Sequence, residues 1–108
     1  MGHIEHNKLV RDNIPEIIAG NGAVANTRTL NDVEYRKRLL EKLVAEAQEL
    51  LVSDGYLEER ADVEEVLRAI DEHLNYGSEA IEAARSKKAE TIGGFSLKIF
   101  LESTDSDD

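Results

Sequence analysis

Four carboxylates stand in two pairs of matching spacing, Glu46 with Glu49 and Glu59 with Asp62. Within each pair the residues are three apart, which on a helix puts both side chains on one face. Residues 50–58 between the pairs are enough for a turn, so two antiparallel helices would bring all four acids near one level. Four acids gathered in a poorly solvated cleft cannot all stay ionised without compensation, because like charges and desolvation both raise their pKa values. A divalent cation relieves both penalties. With oxygen ligands only, and neither cysteine nor histidine among them, the set favours Mg²⁺, with Mn²⁺ as a substitute, over zinc.

Pairs of glutamates at helical spacing are common on solvated faces in a chain with 23 acidic residues, and Glu46 with Glu49 alone fits that description. They lie just beside the apolar arc of their helix. Glu59 discriminates between the two readings. At about 100° per residue, Val63, Val66, Leu67, Ile70 and Leu74 share an arc of roughly 100°, and Glu59 projects inside it between Val66 and Ile70, with Asp62 at its margin. Fraying, or the dipole at a helix start, is the ordinary explanation for a lone acid in such a place. Of the histidines, His3 and His6 lie near the start, and His73 is placed to border a packed helix, not to act as a base.

The elements that must position these acids are legible from caps and periodicity. Asn13 with Glu16 is a capping-box pattern with Pro15 in the first turn, so a short helix is expected over about 14–19, stopping at Gly20 before an Asn21-Gly22 turn. Residues 23–30 read as extended or irregular. Asn31 with Glu34 repeats the cap, and a long helix is expected from Asp32 to Val52, its Leu39, Leu40, Leu43, Val44, Ala47, Leu50 and Leu51 keeping one face. "SDG" at 53–55 breaks it. The next helix is expected over about 56–75, ended by Gly77, and another follows Ser78 and carries "EAIEAARSKKAE". "IGGFSLKIFLE" fits a strand, an extended arm or a final helical turn alike. The acidic "STDSDD", residues 103–108, lacks apolar side chains and reads as disordered.

With 108 residues, the chain reads as one domain over 1–102, small enough that a second subunit would help to bury its apolar surface. One proline, seven glycines and an abundance of Glu, Ala, Leu, Lys and Arg favour helix. The absence of cysteine removes disulfides, thiolate metal sites and thiol catalysis, and suits a reducing compartment. No apolar run approaches the roughly 18 residues of a membrane span, and "MGHIEHNKLVRD" lacks a signal-peptide core, so a soluble cytoplasmic protein with no membrane partner is expected. A net charge of −10 repels nucleic acid and requires local cations or a metal wherever a phosphate binds.

Glu-x-x-Glu at 46–49 followed by Glu-x-x-Asp at 59–62, with "NKLVRDNIPEII" before and "KKAETIGGFSLKIFLE" after, resembles the all-α nucleoside triphosphate pyrophosphohydrolases. That superfamily comprises the MazG and phosphoribosyl-ATP pyrophosphohydrolase group, and the resemblance runs from about Asn7 to Glu102. It implies that Glu46, Glu49, Glu59 and Asp62 hold Mg²⁺, that a triphosphate is cleaved at its α-phosphorus to a monophosphate and pyrophosphate, and that Glu46 or Glu49 orients the water while ligating the metal. Lys8, Arg11, Lys87 and Lys88 are the candidate phosphate-binding cations, with Lys98 a weaker one. Gly93 and Gly94 let the backbone approach an oxyanion, and Asp12 is placed to brace Arg11 or the helix start. The chain departs from the family in three ways. Ala45 stands where a glutamate often precedes Glu46, the connection from Glu49 to Glu59 is short, and Ile92 replaces a basic residue before the glycine pair.

The expectation is therefore an all-α domain whose helix hairpin joins that of a second subunit in a four-helix core, as a homodimer or homotetramer. The expected activity is Mg²⁺-dependent nucleotide pyrophosphohydrolysis. Its rivals are hydrolysis confined to phosphoribosyl-ATP in histidine biosynthesis and a non-enzymatic helical interaction protein.

Overall fold

A computed structural model describes residues 2–107; Met1 and Asp108, the latter the last residue of the expected acidic tail, lie outside the described residues. Four helices run in the order α1 (Ile14–Gly20), α2 (Asp32–Val52), α3 (Leu57–His73) and α4 (Ser78–Ile92), and no strand occurs among the described residues. The chain forms two compact units, one ending at Asn75 and the other beginning at Tyr76.

In the first unit α1 starts with Pro15 in its first turn, where the missing amide hydrogen is harmless. The expected capping box does not form: Asn13 has helical backbone angles and its side chain makes no cap bond. The other end follows the sequence closely. Gly22 takes the left-handed conformation at φ 86, while the Ala23 amide donates to the Ile18 carbonyl (3.2 Å) and the Gly22 amide to that of Ala19 (3.1 Å). These two bonds are a Schellman ending, which satisfies carbonyls the helix leaves open.

The long helix α2 begins where its cap predicts. The Asn31 side chain accepts from the Glu34 amide at 2.9 Å, but the reciprocal half of the box is replaced, because the Glu34 carboxylate takes two hydrogen bonds from Arg28 (2.8 and 3.2 Å). Its C-terminus is a second Schellman ending, with Gly55 donating to Leu50 (3.0 Å) and Asp54 to Leu51 (3.1 Å) and Asp54 left-handed at φ 60. Ser53 ties the turn from both sides, its hydroxyl donating to the Leu50 carbonyl and accepting from the Tyr56 amide that opens α3. A reversal this short makes α2 and α3 antiparallel neighbours. They pack along their lengths. α3 closes at His73, two residues before the expected end, because Asn75 already adopts a left-handed backbone at φ 60.

Leu39, Val66 and Ile70 form the buried core between α2 and α3, with Leu9, Tyr35, Leu43, Ala69 and Leu74 packed against them. The apolar arc of α3 reads true, since Val63, Leu67 and Leu74 are half-buried beside buried Val66 and Ile70. The arc of α2 divides into two. Leu39, Leu43 and Leu50 turn inward, whereas Leu40, Val44, Ala47 and Leu51 are exposed on a separate stripe. The ring of His73 meets that of Tyr35 edge-on, centroids 5.0 Å apart, so this histidine borders the packed pair as expected.

The second unit is α4 and the segment after it. No residue of α4 is buried. Gly93 ends the helix at φ 84, its amide donating to the Ala89 carbonyl, and the following residues adopt neither of the regular alternatives. One turn, closed by the Lys98 amide on the Phe95 carbonyl (3.0 Å), interrupts an otherwise irregular path. Along it Phe95, Leu97, Ile99, Phe100 and Leu101 are exposed.

Candidate metal centre

The antiparallel register sets the site. It places Tyr35 beside His73 near the open end of the hairpin, and by the same register Glu46 faces Asp62 and Glu49 faces Glu59 nearer the turn. One oxygen from each of the four carboxylates lies within 4.8 Å of every other. Both pairs expected from the spacing therefore converge. Where the sequence suggests that Glu46 sits beside the apolar arc, the structure puts it in the interior, 8% exposed, on the stripe of Leu39, Leu43 and Leu50. Glu59 is half-buried in the stripe of α3, as its position among Val63, Val66 and Ile70 requires.

Two carboxylate oxygens, Oε2 of Glu46 and Oε2 of Glu59, are buried and accept no hydrogen bond. Buried acceptors without partners are rare because each forfeits its hydration for nothing in return, at a cost of about 1–3 kcal/mol. These two oxygens, in an all-oxygen set, fit a hard divalent cation.

The protein supplies part of the compensation itself. Lys42 Nζ lies 3.2 Å from Glu46 Oε1, one helical turn toward the open end and largely covered. Arg11 donates to Asp62 Oδ1 at 2.8 Å. Two cations against four acids leave Glu49 and Glu59 without a positive partner among the described residues. The effect is visible on Glu49, whose carboxyl is pushed above its usual range chiefly by the negative charge of Glu46, with Glu59 adding to it and Lys42 opposing.

Among the other candidates, Arg11 reaches the acids and Asp12 does not take it as a partner, since its guanidinium goes to Asp62. Lys8 is exposed on the same segment. Lys87, Lys88, Gly93 and Gly94, with Lys98, belong to the second unit, on α4 and just after it. Lys42 is not among the candidates the sequence offers, although it stands four residues before Glu46, the spacing of a helical ion pair.

Toward the turn, the group of acids opens on a cleft of about 430 Å³ lined by Ala45, Gln48, Glu49, Val52, Ser53 and Glu59. Ala45 contributes a small uncharged side chain to this lining, beside the carboxylates of Glu49 and Glu59. Such an arrangement can hold a divalent ion at one end and a small organic group beside it. Compared with known proteins, the chain matches no family model, no curated protein and no solved structure.

Proposed function

We propose that the protein is a Mg²⁺-dependent nucleotide pyrophosphohydrolase of the MazG-like, all-α kind, cleaving a nucleoside triphosphate to the monophosphate and pyrophosphate. The observation that carries this reading is the convergence of Glu46, Glu49, Glu59 and Asp62 with two buried, unpartnered oxygens. Mg²⁺ held by these four would neutralise phosphate charge and acidify a coordinated water. Water adds to the α-phosphorus, the bond from that phosphorus to the bridging oxygen breaks, and its electron pair leaves on pyrophosphate. Glu49, the exposed member of the group that lines the cleft, would orient the attacking water and accept its proton. Glu46, buried and braced by Lys42, fixes the position of the ligand set.

The exposed stripe of Leu40, Val44, Ala47 and Leu51 supports the pairing of this hairpin with a second copy in a four-helix core. Three buried apolar side chains among the described residues are few for a chain of this length, and a second hairpin would cover the stripe. Sedimentation equilibrium reads this directly, since a monomer mass would refute it.

The activity is tested by pyrophosphate release from ordinary and modified triphosphates and from phosphoribosyl-ATP, with Mg²⁺ and with a chelator. Metal-dependent release from triphosphates is the expected result. Turnover confined to phosphoribosyl-ATP narrows the enzyme to histidine biosynthesis. No release from any compound, with no Mn²⁺ bound, leaves a helical interaction protein.

A further inference from the structure

The cleft beside the acids differs in chemistry from the opposite flank of the same group. Its walls are Ala45 and Val52, the carboxylates of Glu49 and Glu59, the hydroxyl of Ser53 and the amide of Gln48, with no cation among them. The Ser53 hydroxyl is already committed as donor to Leu50 and acceptor from Tyr56. Gln48 is exposed and makes no hydrogen bond with another described residue. Both cations that touch the acids are on the other flank: Lys42 on Glu46 and Arg11 on Asp62, at the level farther from the turn.

A triphosphate carries its charge at one end and an uncharged ring system at the other, so these flanks are not equivalent to it. In the cleft no side-chain cation would meet its phosphates, whereas Lys42 and Arg11 stand on the other flank of the metal that the acids would hold. Its nucleoside would meet small apolar side chains and an amide offering one acceptor and two donors. Side-chain amides pair in bidentate fashion with base edges that set a donor beside an acceptor, as adenine does.

We infer that the substrate lies along the hairpin in one direction, its nucleoside in the cleft toward the turn with Gln48 hydrogen-bonding the base, and its phosphate chain toward Lys42 and Arg11. This rests on the pyrophosphohydrolase reading and adds an orientation to it, with Gln48 as a residue that determines specificity. Glu46 is more than nine-tenths buried with one oxygen unpartnered, and it holds the point between the two flanks where the metal would sit.

The test uses the two product halves as separate probes on the full chain with Mg²⁺ present. Gln48 is the only glutamine in the sequence, so its side-chain amide gives one identifiable pair of proton–nitrogen resonances. AMP is expected to shift that pair and the backbone amides of Val52 and Ser53; pyrophosphate is expected to leave them in place and to move the Arg11 guanidinium. Gln48→Leu should weaken AMP about tenfold, the loss of one or two hydrogen bonds, and leave pyrophosphate affinity within about twofold. A protein that binds Mn²⁺ and releases pyrophosphate, but whose Gln48 resonances ignore AMP or whose Gln48→Leu variant binds AMP unchanged, overturns the orientation alone. A protein that neither binds Mn²⁺ nor releases pyrophosphate overturns the activity, and the orientation with it.

Discussion

The two ends of the α2–α3 hairpin share a register and differ in everything else. Away from the turn the facing stripes carry Tyr35, Leu39, Val66, Ile70 and His73; nearer the turn the same stripes carry Glu46, Glu49, Glu59 and Asp62. The first end removes apolar surface from water, at about 25 cal/mol per Å². The second gathers like charges, two of whose oxygens have no partner. Antiparallel packing of two helices tolerates both because the apolar end and the Ser53 turn fix the geometry, and the acids are held where that geometry puts them. Stability and proposed function are thus assigned to different lengths of one pair of helices, and each should be removable without the other.

The largest effect belongs to the acidic end. Glu59→Gln keeps the shape, deletes a charge and takes away a ligand, so Mn²⁺ affinity should fall by about 100-fold or more, beyond the 10–100-fold seen when only an outer partner of a ligand is lost. Pyrophosphate release should vanish with it. Without metal, the variant should melt at or above the parent's temperature, since a repulsive neighbour of Glu49 is gone. Calorimetric titration with Mn²⁺, paired with thermal melts, checks both; a variant that binds Mn²⁺ as the parent does removes Glu59 from the site.

Leu39→Ala attacks the other end. Leu39 is 3% exposed, the most buried apolar side chain among the described residues, and its truncation should cost about 2–5 kcal/mol in urea unfolding. Mn²⁺ affinity of the fraction that stays folded should hold within a few-fold. A stability loss well below that range would mean that the core as described is not what holds the hairpin together.

How much of this is legible in the sequence depends on how many apolar stripes each helix carries. α3 has one buried face, so its apolar residues sum to a single direction, and Glu59 stood out within it. α2 has two apolar stripes, and an arc drawn through Leu39, Leu40, Leu43, Val44, Ala47, Leu50 and Leu51 points between them, which is why Glu46 appeared to sit at the margin. Caps behaved similarly. Asn31 was readable because its role is local, but neither the loss of the Asn13 cap nor the diversion of Glu34 to Arg28 follows from spacing. The Arg11–Asp62 pair joins residues 51 apart, beyond the reach of any periodicity. The residues after Gly93 matched three conformations because no pattern of two or of three to four dominates a short apolar run.

Asn31→Ala sharpens the comparison by weakening α2 at its start, far from the acids. The lost cap should cost about 1 kcal/mol, seen as a lower urea midpoint with unchanged slope. Metal affinity should not move.

The smallest effect concerns Glu49 in metal-free protein, because this group is exposed and water screens it. Its folded carboxyl binds a proton more tightly than the ordinary value of 4.5 allows. The folded state therefore holds more of that proton than the unfolded state does between the two values, and stability falls as pH rises through the window from 4.5 to the raised value. Below the window the contribution is favourable, and above it is lost. Glu49→Gln should flatten this part of the pH–stability curve, and so should saturating Mg²⁺ on the parent, since a cation among the acids favours the ionised form. Urea midpoints across that window, for parent and variant with and without Mg²⁺, measure the slope. If the parent's slope survives Mg²⁺ yet disappears in Glu49→Gln, the glutamate feels its acidic neighbours but the ion binds elsewhere, and the acidic end of the hairpin would be a solvated cluster of charges instead of a metal centre.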